Sequence, residues 1–365
     1  MDHLQNIDAL RCRSESDVPR DSVARFQASS QWRALWQALN SFLPYALLWI
    51  AMERALIISY WLMLPIAILA AGFLVRIFII FHDCGHASFF KSKRANNATG
   101  ALAGLLLLTP YRHWRGQHAL HHGTAGDLDR RGSGDIWTLT VQEYLHSTRW
   151  RRFSYRFARN PIVLFVVAPL YVFVVHHRFA ASTASMRERR SVHRTNWALL
   201  GIALVMSATI GLKAFLLIQL TASGVAGALG LWLFYVQHQF EGAFWARSAD
   251  WNYTAAALQG SSFYKLPRVL QWFSGNIGFH HIHHLNPRIP NYRLQRCHEA
   301  VPFFKSIKPV TLRASLEFLT FRLWDEQRKV FVGFRNLSIP ALVPNRRTSP
   351  RLYGQGNPMR EHPAR

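Results

Sequence analysis

The sequence predicts an all-α integral membrane protein: two transmembrane helical hairpins, four spans in all, plus a cytoplasmic helical domain that carries a histidine-rich site. Three observations predict it. Apolar stretches of spanning length recur in two pairs. Lys and Arg concentrate in the segments that a two-hairpin topology places on one side. The 18 histidines are grouped rather than scattered.

The 365 residues are half hydrophobic, with 25 Phe and 13 Trp. Lys and Arg number 43 against 19 Asp and Glu, a formal net charge of +24. Such a balance suits nucleic acid, an anionic membrane surface or an acidic protein partner. A nucleic-acid binder has no need of long apolar runs, so no nucleic-acid partner is expected. Cys12, Cys84 and Cys297 are far apart and form no CxxC pair, which argues against a disulfide framework or a zinc ribbon.

Residues 1–35 read as a cytoplasmic N-terminal segment. They lack the short apolar core of a secretory signal, and their acids, Asp2 and Asp8 among them, argue against an organelle transit peptide. The expected location is a bacterial inner membrane, crossed several times. A span needs about 20 apolar residues. The first hairpin is placed at about 36–52 and 61–81, the second at about 197–220 and 224–240. The second turn is expected between Lys213 and Gly224, where Thr221, Ser223 and Gly224 cluster.

Two further apolar segments, Thr99 to Pro110 and Pro161 to Val175, are short, and Pro169 interrupts the second. Both read as interfacial or re-entrant. Positive charge gathers on the cytoplasmic side of membrane proteins. Two hairpins put the Arg-rich stretches around 91–159 and 178–194, the C-terminal third and both termini on that side. The membrane domain is taken as 36–342, and the polar 343–365 as a disordered basic tail.

Histidine falls into three boxes, HDCGH (His82, His86), HALHH (His118, His121, His122) and HHIHH (His280 to His284), plus a single His238 after the last span. A helix turns about 100° per residue, so residues three or four apart share a face. His82 with His86, and the i, i+3, i+4 sets His118, His121, His122 and His280, His283, His284, each present a multidentate imidazole face if helical. Cys84 points away from the His82 face and is expected to pack. The first box caps one span and His238 another, so the topology gathers nine imidazoles at one membrane face. Imidazole suits zinc, copper, iron and nickel, and nine is too many for one ion. Two ions with open positions fit the count, and iron is the one whose open positions support oxygen chemistry.

At these residues the chain resembles the membrane fatty-acid desaturases, in their acyl-lipid, omega-6-like branch. The strings that carry the likeness are RIFIIFHDCGHASFF, HWRGQHALHHGTAGDLDRRGSGDIWTLT and GNIGFHHIHHLNPRIPNYRL, and it runs from about Trp36 to Phe334. The resemblance implies two irons held by His82, His86, His118, His121, His122, His238, His280, His283 and His284, with His281 outside the set. It implies dioxygen as co-substrate, two electrons per turnover and a cis double bond placed in a lipid-linked acyl chain. With no fused cytochrome or rubredoxin motif, electrons are expected from a separate donor such as ferredoxin, for which the basic surface suits an acidic carrier.

One departure stands out. The stearoyl-type branch has Asn four residues before its lone histidine, and Phe234 stands there in this chain. The alternative reading is a membrane di-iron hydroxylase or ketolase acting on an alkane or carotenoid, with nearly the same metal site. A histidine-rich transporter would place its ligands inside the spans, and a bis-histidine heme protein needs two of them.

Around the boxes, metal-bound histidines usually donate their second nitrogen to a carboxylate or carbonyl. Asp83 and Glu241 are the foremost candidates, ahead of Asp127, Asp129 and Asp135. Asn276 is a candidate to replace the missing Asn. Trp114 and Trp137 either line an acyl tunnel or belong to an interfacial belt. His113, His146, His176, His177, His193 and His298 read as surface or interfacial.

Overall fold

The computed structural model describes residues 20–337 apart from residue 133. The expected tail and residues 1–19 of the N-terminal segment lie outside the described residues.

Helix α1 (Gln31–Ile58) and helix α2 (Tyr60–Gly85) contain the first two expected spans. Ser59 alone separates them. It is extended, with φ −165° and ψ 141°, and its hydroxyl accepts from the Trp61 amide. One residue that leaves the helical region while capping the next helix turns the chain back on itself. α1 and α2 then pack along their length. Helix α3 (Lys93–Leu106) is capped by Ser92 and packs on α2, and α4 (Tyr111–Thr124) follows.

After α5 (Arg149–Ala158) the chain bends by 65° into the helical stretch Val163–Arg178. Together these two are apolar and long enough to make one bent span. Helix α6 (Met186–Thr209) and helix α7 (Leu212–His238) complete the long elements.

Three helices, α1, α2 and α7, are each long and apolar enough to cross a membrane among the described residues. This corrects the expected second hairpin. The break falls at Ile210 and Gly211, not between Lys213 and Gly224, and α7 runs unbroken through Thr221 to Gly224. Gly211 has φ +87°, a left-handed conformation that glycine adopts at little cost. α6 carries Arg187, Glu188, Arg189, Arg190 and Arg194 in its first half, so it fails as an apolar span.

Gly224, read as part of the turn, serves packing instead, together with Gly227. A Cβ on Gly227 would lie 2.8 Å from Pro169 Cβ, and one on Gly224 would lie 3.3 Å from Leu170 Cδ2. They let the 163–178 stretch sit close against α7.

Short elements follow: α8 (Tyr253–Gln259), α9 (Arg268–Phe273), α10 (His280–Leu285) and α11 (Asn291–Ala300). Among the described residues, five strands of two or three residues qualify the all-α expectation. β1 (Leu139–Thr140) pairs in parallel with β4 (Leu323–Asp325), which pairs antiparallel with β5 (Val330–Val332). β2 (Tyr264–Lys265) pairs in parallel with β3 (Val310–Thr311). These pairings fasten the C-terminal segment to the loops after the second box and before the third. The main core lies between α1, α2 and α7, and Cys84 is fully buried within it, as packing requires.

Candidate metal centre

The boxes sit on four elements that converge at one end of the bundle. His82 lies in the last turn of α2, and His86 is its C-cap. His118, His121 and His122 lie on α4, His238 ends α7, and His280, His283 and His284 share the single short helix α10. All three boxes are helical or cap a helix, as the spacing predicts.

Their ring nitrogens approach in two runs. His118 Nε2 lies 3.0 Å from His86 Nε2 and 3.1 Å from His122 Nε2, which lies 3.0 Å from His283 Nε2. His238 Nε2 lies 3.1 Å from His121 Nε2 and 3.0 Å from His280 Nε2. Ligand atoms of His82, His86, His118, His122 and His283 lie within 4.8 Å of one another, and so do those of His121, His238 and His284. The buried ring of His284 stacks on His122 at 4.2 Å between centroids, so the two groups adjoin.

The far nitrogens decide the proton positions. His121 Nδ1 lies 2.8 Å from an Asp135 carboxylate oxygen, His82 Nδ1 lies 3.1 Å from Asp83, and His238 Nδ1 lies 3.3 Å from the Gly260 carbonyl. Carboxylates and carbonyls only accept, so each Nδ1 carries the hydrogen. His121 and His238 therefore face each other with two bare Nε2 lone pairs. Two lone pairs in this arrangement do not hydrogen-bond to each other, and a bound cation between them makes the contact favourable. Burial, with the neighbouring imidazoles, holds His118, His122, His280, His283 and His284 well below the ordinary imidazole range. These five rings are thus neutral at pH 7, as metal ligation requires. A nitrogen-only donor set in two adjoining groups fits two ions that favour imidazole.

Asp83 has a second set of partners. Its Oδ2 accepts from the Asn291 amide at 2.6 Å and from Asn291 Nδ2 at 2.8 Å. Asn291 in turn accepts from Gln37 Nε2 at 2.9 Å. This network ties α1, α2 and α11 together behind His82. Asp135, ranked lower by sequence, makes the shortest acid contact to a box histidine.

Asp127 accepts from Arg130 and Ser248, and Asp129 from Arg247. Glu241 is exposed just beyond α7. Asn276 accepts from Gln271 and donates to the Asn291 carbonyl. The position four residues before His238 is filled by the Phe234 ring, 5.1 Å from His121 and 5.2 Å from His238.

A cavity of about 440 Å³ opens beside the histidines. Its walls include Leu74, Val75, Phe78, Ala226, Gly227, Phe234, His82, His118 and His280. Trp114 lines it and stacks on His118 at 4.4 Å, whereas Trp137 packs on Tyr155 away from it. His113, His176 and His177, expected at the surface, line this cavity too, while His146 and His193 are exposed. Sequence reasoning could not place His176 and His177, because their stretch reaches the cavity only after the 65° bend that follows α5, whereas His113 shares α4 with the second box.

The sequence model for fatty acid desaturases matches residues 59–306. A "Fatty acid desaturase" of Bacillus subtilis is 46% identical over 88% of this chain and 92% of its own length. The chain belongs to the fatty acid desaturase family. It is therefore an oxidoreductase. Other desaturases are similar at lower identity. An "sn-1 oleoyl-lipid 12-desaturase" of Synechocystis sp. is 28% identical over 65% of this chain and 68% of its own length. An "sn-1 acyl-lipid omega-3 desaturase (ferredoxin)" of the same organism is 28% identical over 66% of this chain and 68% of its own length.

Proposed function

We propose that this desaturase places a cis double bond in a lipid-linked acyl chain, at a centre of two iron ions. The nine ligands would be His82, His86, His118, His121, His122, His238, His280, His283 and His284. The observation that carries this reading is the pair of bare, converging nitrogens on His121 and His238, set beside a largely apolar cavity. Bound iron supplies activation of dioxygen, for which two electrons arrive from a separate donor.

The chain's own residues do the rest. Leu74, Val75, Phe78 and Ala226 offer the acyl chain an apolar bed that ends at the histidines. Phe234 and Trp114 pack on box rings and keep water from their faces. Asp83, Asp135 and the Gly260 carbonyl hold three rings in the tautomer that leaves Nε2 free.

The lipid carrier follows the relatives named as acyl-lipid enzymes, and the relative named with ferredoxin supports an acidic iron–sulfur donor. The basic surface suits such a donor. The histidine end of the bundle faces the cytoplasm of a bacterial inner membrane in this reading, where a soluble donor can reach it. Arg-rich segments flanking the boxes support that orientation.

The test is expression in a desaturase-poor bacterial host, with gas chromatography and mass spectrometry of fatty-acid methyl esters, wild type beside His283→Ala. A new unsaturated ester that the variant lacks is expected. A hydroxylated or keto product would overturn desaturation. A folded protein that retains zinc and no iron would overturn the iron centre.

A further inference from the structure

A second cavity, of about 640 Å³, opens on a different face of α2. Its lining includes Gln37 of α1, Arg76 of α2, Lys265, Arg268, Trp272 and Gln295. None of the nine clustered histidines lines it.

Arg76 is the anomaly. It lies within an apolar helix of spanning length and is only 7% exposed. One Nη donates to the Trp272 carbonyl, and the guanidinium lies over the Trp272 ring, 3.9 Å from its centroid. Its Nε is buried with no hydrogen-bond partner. Among the described residues, no carboxylate pairs with it. The acid that lines the cavity, Glu299, already accepts from Gln295 at 2.8 Å. A buried cation without an anion, within an apolar helix of spanning length, is costly and marks a ligand or pathway.

The rest of the cavity says which anion fits. Lys265 and Arg268 add two exposed positive charges to the rim. Val269, Leu270 and Trp272 of the adjoining α9 are exposed by 67%, 43% and 39%, an apolar edge suited to the bilayer interface. Guanidinium recognises phosphate through charge-assisted N–H donors.

We propose that this cavity binds the phosphate of a bilayer phospholipid headgroup, with Arg76 as the buried anchor and Lys265 and Arg268 at the rim. The lipid's acyl chains lie outside, against Val269, Leu270 and the outer side of α2. The cavity shares Gln37 and Asn291 with the network behind His82 but none of the nine histidines, so the proposal does not rest on the iron reading.

The test uses the full chain purified in detergent, freed of lipid and reloaded. The probes are dioleoylphosphatidylglycerol, dioleoylglycerol without phosphate, and inorganic phosphate, read by native mass spectrometry and phosphorus assay. Wild type is expected to retain phosphatidylglycerol and not dioleoylglycerol. Arg76→Gln should weaken retention by roughly tenfold or more, the loss of a charge-assisted contact. The double variant Lys265→Gln/Arg268→Gln, changed only at exposed side chains, should weaken it too and serves if Arg76→Gln does not fold. Equal retention by wild type and the double variant overturns the proposal. So does retention of dioleoylglycerol as strong as that of phosphatidylglycerol. Binding of inorganic phosphate alone assigns the site to a free anion and overturns the lipid.

Discussion

Asp135 accepts the Nδ1 hydrogen of His121 at 2.8 Å, and the other nitrogen of that ring lies 3.1 Å from His238. The acid thus fixes both the tautomer and the aim of a ring that faces a bare nitrogen. Asp135→Asn is expected to lower iron affinity or desaturation by about 10- to 100-fold, the usual cost of losing such a partner. Iron per chain and ester yield measure it. Unchanged iron content would remove Asp135 from the centre.

The third box gives a contrast within one helix. His280 lies 3.0 Å from His238, whereas His281, fully buried one residue on, packs near Phe263, His298 and Phe304. His280→Leu should lose iron, and His281→Leu should keep its full complement. Elemental analysis of the two purified variants decides it. Iron lost equally from both would show that the fold of α10, not ligation, is being measured.

Acidification should strip the centre. Burial keeps His118, His122, His280, His283 and His284 from accepting protons in the fold, while in the unfolded chain they titrate near the ordinary value of about 6.5. The unfolded, metal-free state therefore binds more protons at low pH, and stability falls as pH drops below that value. Thermal unfolding and iron retention after dialysis between pH 8 and pH 5, a range of roughly this width around the imidazole value, should both decline toward acid. A flat profile would contradict neutral buried imidazoles.

Packing between α7 and the 163–178 stretch predicts the cost of bulk. A Cβ on Gly227 meets Pro169 at 2.8 Å and Phe173 at 3.2 Å. Gly227→Val should destabilise the protein by about 1–3 kcal/mol, the range for overpacking. A thermal shift in detergent reads it, with Gly230→Ala, where nothing lies within 4 Å, as the comparison that should not destabilise.

The cavity leads from the histidines toward Leu74, Ser223 and Ala226. Filling that far end should shorten the acyl segment it accepts. Ala226→Leu is expected to favour shorter chains or to move the double bond relative to the methyl end, with iron content unchanged. Methyl-ester profiles with bond location check this, and an unaltered profile would place the acyl bed elsewhere.

Much of the site was legible in the chain itself, because helical periodicity is local. Spacings of three and four put His118, His121 and His122 on one face of α4, and the apolar runs of α1 and α2 announce their own length. Arg76 was visible as a lone charge in a span, but not its unpaired state. The second turn lies elsewhere than its small residues suggest, for a physical reason. Thr221, Ser223 and Gly224 look like a turn in sequence, yet small residues equally serve close packing. Only the approach of Leu170 to Gly224 decides between the two.

What the sequence determined by itself was the membrane character, the helical boxes and the histidines that present nitrogen donors, all consequences of composition and of periods within one element. Tertiary structure alone decided which histidines meet, that Asp135 contacts His121, that Phe234 packs beside His238, and where a cavity opens. Those outcomes depend on contacts between residues up to more than 200 positions apart, as between Asp83 and Asn291. No local period encodes such contacts, because packing of whole helices sets them.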